Sequence, residues 1–113
     1  MKFRVASIVA AFVLASAAAQ AASPENGRKA FVTHDCWLCH GFEGQGSAVT
    51  SIGAVVSNTD LPYEAFEGFV RGTNRAMPPY RETILPATDL ADIYAFLQSV
   101  PKPKDVSSIP LLK

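Results

Sequence analysis

The second half of the chain places apolar residues at the spacing of two amphipathic helices. We predict that the first runs from a cap at Thr59 or Asp60 to an end just before Gly72. Its apolar stripe consists of Tyr63, Phe66, Phe69 and Val70. The other predicted helix starts at Thr88 and is ended by Pro101. Its apolar stripe, at i, i+3, i+4 and i+7, consists of Leu90, Ile93, Tyr94 and Leu97.

Another helix is predicted ahead of this pair. Ser23 is a favourable N-cap, Pro24 suits the first helical position, and the helix should run to about Asp35. Gly27 and Phe31 share one face of it. A glycine inside a short helix costs about 1 kcal/mol relative to alanine, which indicates that another helix approaches closely there. With no convincing strand pattern in the chain, these segments predict an all-α fold of three main helices and long loops.

The N-terminal stretch has a different pattern, in which apolar residues follow one another without polar alternation. Lys2 and Arg4 precede the apolar run Val5–Ala15, and an AQA tripeptide further on matches the pattern of signal peptidase sites. We therefore expect residues 1–21 to be a signal peptide, cleaved after about Ala21 on export to the periplasm. A membrane anchor is the alternative, but the run is short. No later stretch approaches the roughly 20 apolar residues of a span, so we expect no membrane span in the mature chain.

The mature chain of 92 residues is long enough for one domain only. We assign residues 22–103 to that domain and residues 104–113, which show no periodicity, to a C-terminal tail. The mature chain has 8 basic and 10 acidic residues, which give a formal charge of −2, so we expect no nucleic-acid partner. A domain this small buries only about 60–65% of the surface that its unfolded chain exposes, and commonly needs a disulfide, a metal or a bound group.

The pentapeptide CWLCH contains the only two cysteines of the chain, Cys36 and Cys39, followed directly by His40. Four interpretations compete. A disulfide fits the exported compartment, and thioredoxin-like redox motifs also use C-x-x-C, but they belong to a βαβ context whose strands are not indicated here. A zinc site would need His34 as a fourth ligand, and four ligands from one helical turn pack implausibly. The fourth interpretation, covalent haem attachment, is the one that C-x-x-C-H favours.

The spacing of the motif has a physical reason. At about 100° per residue, the three side chains fall on one side of a helix. The two thiols can then add to the haem vinyl groups while the imidazole reaches the iron from the same face of the ring. We therefore predict one covalently attached haem c, held by Cys36 and Cys39, with His40 as an axial ligand of the iron.

Met77 is the candidate for the second axial ligand. It is the only methionine left once Met1 is removed, and it lies in RAMPPY, whose prolines stiffen a non-helical loop. A methionine more commonly fills a core gap, but this position in a haem protein favours ligation. We also predict that Arg71, Arg75 and Tyr80 contact the haem propionates; solvated arginines and simple packing of the tyrosine are the alternatives.

With CWLCH and AMPPY as its specific anchors, the chain closely resembles the class I c-type cytochromes, small monohaem electron carriers of the bacterial periplasm. The resemblance rests on GRKAFVTHDCWLCHG, GQG, YEAFEGFVRGTNRAMPPY and DLADIYAFLQ, and covers nearly the whole mature chain. It implies a cytochrome c fold wrapped around one haem, in which Gly27 and Phe31 cross the last helix near Tyr94. It also implies that His40 and Met77 are the axial ligands.

In one respect the chain departs from this family. Members often carry a proline in the loop after the motif, whose carbonyl accepts a hydrogen bond from the proximal imidazole. The loop GSAVTSIGAVV has no proline. A backbone acceptor is expected instead near Thr50 to Ile52.

The expected function follows from the ligands. Two strong axial ligands leave the iron no open position, which predicts one-electron transfer rather than catalysis. We expect a periplasmic carrier between a dehydrogenase and a respiratory acceptor, or the cytochrome subunit of a dehydrogenase complex; the few lysines near the motif favour a dedicated partner. The alternative is an open-site haem enzyme or gas-binding sensor with Met77 off the iron. The side chains expected to bury the ring are Phe31, Trp37, Leu38, Phe66 and Tyr94.

Overall fold

A computed structural model of the chain describes residues 20–47 and 53–112. These residues form helices and loops without a strand, which confirms the predicted all-α fold. The α-helices are α1 (Pro24–Thr33), α2 (Trp37–His40), α3 (Tyr63–Gly72) and α4 (Ala87–Ser99). Two short 3-10 turns, Val106–Ser108 and Pro110–Leu112, occupy the tail. Apart from its last two residues, the predicted signal peptide lies outside the described residues.

The start of α1 is fixed from two directions. The Ser23 hydroxyl accepts a hydrogen bond from the Asn26 amide at 3.2 Å, as expected of an N-cap. The Ser23 amide in turn donates to Asp92 Oδ1 of α4 at 2.7 Å. The helix ends two residues earlier than predicted, because Asp35 adopts the left-handed conformation with φ 60° and cannot continue it.

Helices α1 and α4 cross in direct contact, as the glycine in α1 predicts. A Cβ on Gly27 would overlap the backbone carbonyl of Asp92, so only glycine allows this approach. One turn further on, the rings of Phe31 and Phe96 lie 5.6 Å apart. Tyr94 lies to one side of the crossing and packs against Tyr63 and Phe66 of α3.

The predicted ends of the other two helices are partly wrong. Helix α3 starts after Pro62, without a side-chain cap from Thr59 or Asp60, and Gly72 is its last residue. Helix α4 starts after Pro86, also without a side-chain cap. In both cases a proline in extended conformation, with ψ near 150°, turns the chain into the helix. For α3 this proline stands where a side-chain cap from Thr59 or Asp60 was predicted.

The loop before α3 is held against α4 by side-chain and backbone hydrogen bonds. Tyr94 Oη donates to the carbonyl of Leu61 at 2.8 Å, and Gln98 Nε2 donates to the carbonyl of Thr59 at 2.8 Å. The Asn58 amide donates to the carbonyl of Leu97 at 2.9 Å. These bonds place the loop along one wall of the cavity described below. No helix in the described ranges is long and apolar enough to span a membrane.

Candidate functional site

A cavity of about 500 Å³ lies between the helices and is lined mainly by apolar side chains. Its volume falls within the roughly 300–1,000 Å³ of small-molecule and cofactor sites. Side chains from α1, α3 and α4 contribute Phe31, Phe66, Val70, Leu90, Ile93 and Leu97. Among its lining residues are five that the sequence singled out for chemistry, namely Cys36, His40, Arg75, Met77 and Tyr80.

The CWLCH segment reaches the cavity through the short helix α2. The Cys36 amide donates to the carbonyl of Phe31 at 3.1 Å, and the His40 amide donates to the carbonyl of Cys36 at 3.0 Å. Cys36 and His40 therefore face the cavity from one turn, as the spacing predicts. Cys39 is exposed.

The two thiols differ in environment. Burial raises the pKa of the Cys36 thiol from 9.0 to about 11, and the charge of Asp35 adds to the rise. Its Sγ lies 3.9 Å from the carbonyl of His34. The two thiols of the motif therefore differ in burial, with Cys36 on the cavity wall and Cys39 exposed.

The hydrogen-bond acceptor of His40 is a backbone carbonyl that the sequence did not identify. His40 Nδ1 lies 2.8 Å from the carbonyl oxygen of Ala54. An imidazole that donates from Nδ1 presents Nε2 as the ligating nitrogen and is held in one orientation. The acceptor was expected near Thr50 to Ile52, which lie outside the described residues; the structure places it two residues further on.

Gly53 allows the acceptor to reach His40. A Cβ at this position would overlap the backbone carbonyl of Cys39, so the loop lies directly on the α2 turn only because the residue is glycine. Gly44 supports the same return of the chain. It adopts a φ of 68°, and its carbonyl accepts hydrogen bonds from the amides of Val56 and Ser57 at 2.7 and 2.9 Å.

Replacing Gly53 by alanine tests this contact. The added methyl group must push the loop off Cys39, which we expect to lower the free energy of unfolding by about 1–3 kcal/mol. Weakening the bond to Ala54 also makes the imidazole a poorer electron donor, so the reduction potential should rise. Chemical denaturation and a redox titration measure both. Gly72→Ala is the control, since a Cβ there meets nothing within 4 Å; equal effects of the two variants would contradict the role of Gly53.

Met77 lines the same cavity as His40 and is carried by the loop between α3 and α4. That loop leaves α3 at Thr73, which is 9% exposed and whose hydroxyl accepts a hydrogen bond from the Arg75 amide at 3.2 Å. It is fixed again at Tyr80, whose amide donates to the carbonyl of Val70 at 2.9 Å. The structure therefore brings the two predicted axial ligands to one cavity.

The three predicted propionate contacts lie in different surroundings. Arg75 and Tyr80 line the cavity, whereas Arg71 does not. Burial raises the pKa of the Tyr80 phenol, whose hydroxyl donates to the carbonyl of His34 at 3.2 Å. Arg71 Nη1 is bonded to backbone carbonyls, but Nε and Nη2 are buried without a hydrogen-bond partner in the described parts of the chain. Such unpaired donors suit an anionic group.

Of the five side chains expected to bury the ring, only Phe31 and Phe66 line the cavity. Trp37 is half-buried and stacks instead on Phe42, with ring centroids 4.5 Å apart. Leu38 is 51% exposed. The aliphatic side chains that sequence reasoning did not assign to the cavity wall include Val55, Val56, Leu61, Leu85, Leu90, Ile93 and Leu97. The helical periodicity predicted that Leu90, Ile93 and Leu97 are buried. Nothing in the sequence, however, distinguished a core residue from a residue of the cavity wall.

The donor set of the cavity fits haem better than zinc. Within the described residues no three His, Cys, Asp or Glu side chains converge on a metal-sized site. The cavity instead combines an imidazole, a thioether, a thiol and apolar walls, which suit an apolar ring with one central metal. This helical domain, with C-x-x-C-H at the wall of a large apolar cavity, is a c-type cytochrome domain.

Comparison with family models agrees with this class. Residues 22–97 match the family described as Cytochrome C oxidase, cbb3-type, subunit III, and the chain belongs to that family. The family implies a covalently bound haem c, electron transfer and redox partners, and confirms the predicted class of protein. Searches of the curated proteins and of the solved structures found no match.

Proposed function

We propose that the protein is a periplasmic one-electron carrier with a single haem c. In this proposal Cys36 and Cys39 hold the group by thioether bonds, and His40 and Met77 are the axial ligands of its iron. The observation that carries the proposal is that His40 and Met77 line one apolar cavity together with Cys36. Because Cys39 is exposed, the haem edge attached to Cys39 would be the part of the site nearest to solvent.

When bound, haem c supplies reversible one-electron exchange between ferric and ferrous iron. The residues around the haem decide whether the ferric or the ferrous state is favoured. The soft thioether of Met77 favours the reduced state, as do the apolar walls, since the ferric centre carries one more positive charge. The carbonyl of Ala54 holds the His40 ring by a hydrogen bond. This bond makes the imidazole a stronger electron donor to the iron, which favours the oxidised state and so acts in the opposite direction. We expect a moderately positive reduction potential.

Arg71, Arg75 and Tyr80 are proposed to bind the propionates. Arg75 and Tyr80 are supported by their place on the cavity wall, and Arg71 by its buried Nε and Nη2, which have no hydrogen-bond partner in the described parts of the chain. Bidentate arginine contacts would fix the carboxylates and partly offset their charge.

Export and domain organisation are part of the proposal. We infer that residues 1–21 are a signal peptide, that residues 22–103 form the cytochrome domain and that residues 104–113 form a tail. The family match begins at residue 22 and α1 is capped at Ser23, which supports a mature chain that starts close to Ala22.

The proposed partners are a periplasmic dehydrogenase as donor and a respiratory complex as acceptor. The family is described as an oxidase subunit, which supports a respiratory acceptor. On α1, Lys29 is paired with Glu25 at 3.1 Å and so contributes little net charge to steering. Few cations remain near the motif, which supports a dedicated partner, including association with a dehydrogenase as its cytochrome subunit.

An intact-mass measurement on the exported protein under denaturing conditions tests cleavage and attachment together. We expect the mass of the 92 residues 22–113 plus one haem, and a haem spectrum that survives acid–acetone extraction. A Cys36→Ser, Cys39→Ser double variant is the control and should lose its haem to the solvent. Haem that is extracted from the unmodified chain would refute thioether attachment.

A further inference from the structure

Arg71 makes contacts that a propionate-binding role does not explain. Its Nη1 donates to two backbone carbonyls, that of Tyr80 at 3.0 Å and that of Leu85 at 2.6 Å. Leu85 is 1% exposed, so its carbonyl lies where an unpaired acceptor would be costly. One charged nitrogen therefore holds both ends of the segment 80–85 against the last turn of α3.

Tyr80 is the first fixed point of the chain after Met77. Its amide donates to the carbonyl of Val70 at 2.9 Å, and its own carbonyl accepts from Arg71. Its hydroxyl donates to the carbonyl of His34 at 3.2 Å, in the segment that leads into CWLCH. Three hydrogen bonds thus tie this residue to α3 and to the segment after α1.

The stretch that contains Met77 has few restraints of its own. On its N-terminal side, the Arg75 amide donates to Thr73 Oγ1 at 3.2 Å. Residues 76–79 make no hydrogen bond to any described part of the chain. Two of the four are prolines, which have no amide N–H to donate. The direction of Met77 therefore depends on the anchors that flank it, and Tyr80, with three hydrogen bonds, is the stronger of the two.

We propose that Arg71 is a positioning residue for Met77: by bridging the carbonyls of Tyr80 and Leu85, it holds the loop so that the methionine stays directed into the cavity. The inference rests on the proposed ligation of iron by Met77. It uses Nη1 alone, and so is separate from the propionate role of Nε and Nη2. Glu67, whose Oε1 lies 3.8 Å from Nε, takes no part in the bridge and provides a matched control on the same helix.

The experiment uses the full holoprotein in three variants. Arg71→Leu removes the bridge together with the proposed propionate donors Nε and Nη2. Tyr80→Phe removes the hydroxyl, and with it the bond to His34 and any contact with a propionate, but keeps the bridge. Glu67→Gln removes the ion pair and also keeps the bridge. Imidazole is titrated into each ferric protein, since it competes with the methionine for iron. Loss of charge-assisted hydrogen bonds predicts an affinity for imidazole about ten- to a hundredfold higher in Arg71→Leu. Tyr80→Phe should give a smaller rise, and Glu67→Gln should match the unmodified protein.

Amide hydrogen exchange provides a second readout that does not depend on the iron ligand. We expect faster exchange confined to the segment 80–85 in Arg71→Leu, where the amides of Tyr80, Ile84 and Leu85 are hydrogen-bonded. Unchanged imidazole affinity in Arg71→Leu, or exchange that accelerates equally over all helices, would overturn the inference. If that variant does not fold, Arg71→Gln replaces it, because the shorter side chain cannot reach both carbonyls, and unchanged imidazole affinity and exchange in Arg71→Gln would overturn the inference. Should the unmodified protein lack methionine ligation, the proposed function fails, and exchange in the segment 80–85 still decides whether Arg71 positions the loop.

Discussion

Replacing Met77 by alanine is expected to lower the reduction potential by on the order of 0.1 V or more, within the roughly 0.8 V over which axial ligands set haem potentials. In the proposed ligation the thioether stabilises ferrous iron, and its removal would leave only His40 on the iron. The vacated position should then accept carbon monoxide in the ferrous state. A redox titration, carbon monoxide binding and the sulfur-to-iron charge-transfer band of the ferric protein measure the three effects.

Leu61→Ala is the control for this experiment, because Leu61 lines the same cavity but carries no ligand atom. It should retain the charge-transfer band and react with carbon monoxide no faster than the unmodified protein. If Met77→Ala left potential and ligand reactivity unchanged, Met77 would not be the ligand. Rapid carbon monoxide binding by the unmodified ferrous protein would favour the open-site enzyme or gas sensor instead.

Replacing Gly27 by leucine should destabilise the fold more than any surface change. The new Cβ would overlap the Asp92 carbonyl, and a backbone group cannot rotate away as a side chain can. We expect the free energy of unfolding to fall by about 3 kcal/mol, the upper part of the usual range for overpacking. For a domain of this size, that corresponds to a melting temperature lower by roughly 10–25 °C. Thermal unfolding of the holoprotein, followed by far-ultraviolet circular dichroism, measures the shift.

Gly68 supplies the matched control for Gly27. It lies on the exposed side of α3, and a Cβ built there meets nothing within 4 Å. Gly68→Ala should raise the free energy of unfolding by about 0.5–1 kcal/mol, because alanine loses less backbone entropy in a helix. A melting temperature of Gly27→Leu equal to that of the unmodified protein would mean that α1 and α4 do not cross at this point.

The features that the sequence predicted well are local ones. The haem motif needs only one helical turn, so the common direction of Cys36 and His40 follows from their spacing. The start of α1 follows from Ser23 and Pro24, and the glycine at position 27 carried enough information to predict a close helix crossing. Each of these depends on residues that are neighbours in the chain or on one helix face.

The features that it missed depend on contacts between distant residues. The acceptor for His40 is set by where a long loop returns to α2, which Gly53 permits but does not specify. The partners of Arg71 are carbonyls 9 and 14 residues further along, and a backbone carbonyl carries no sequence signal. Likewise, Trp37 was expected at the ring, yet its stacking on Phe42 depends on the path of the chain after Gly41.

Part of the wall of the cavity described above is also the hydrophobic core. The residues that are both buried in the core and part of the cavity wall are Phe31, Phe66, Val70, Leu85, Leu90, Ile93 and Leu97. A substitution that alters packing among them also alters the polarisability and water content of the space beside the iron. Thermal stability and reduction potential in this chain are therefore not independent properties, and selection on either one constrains the other.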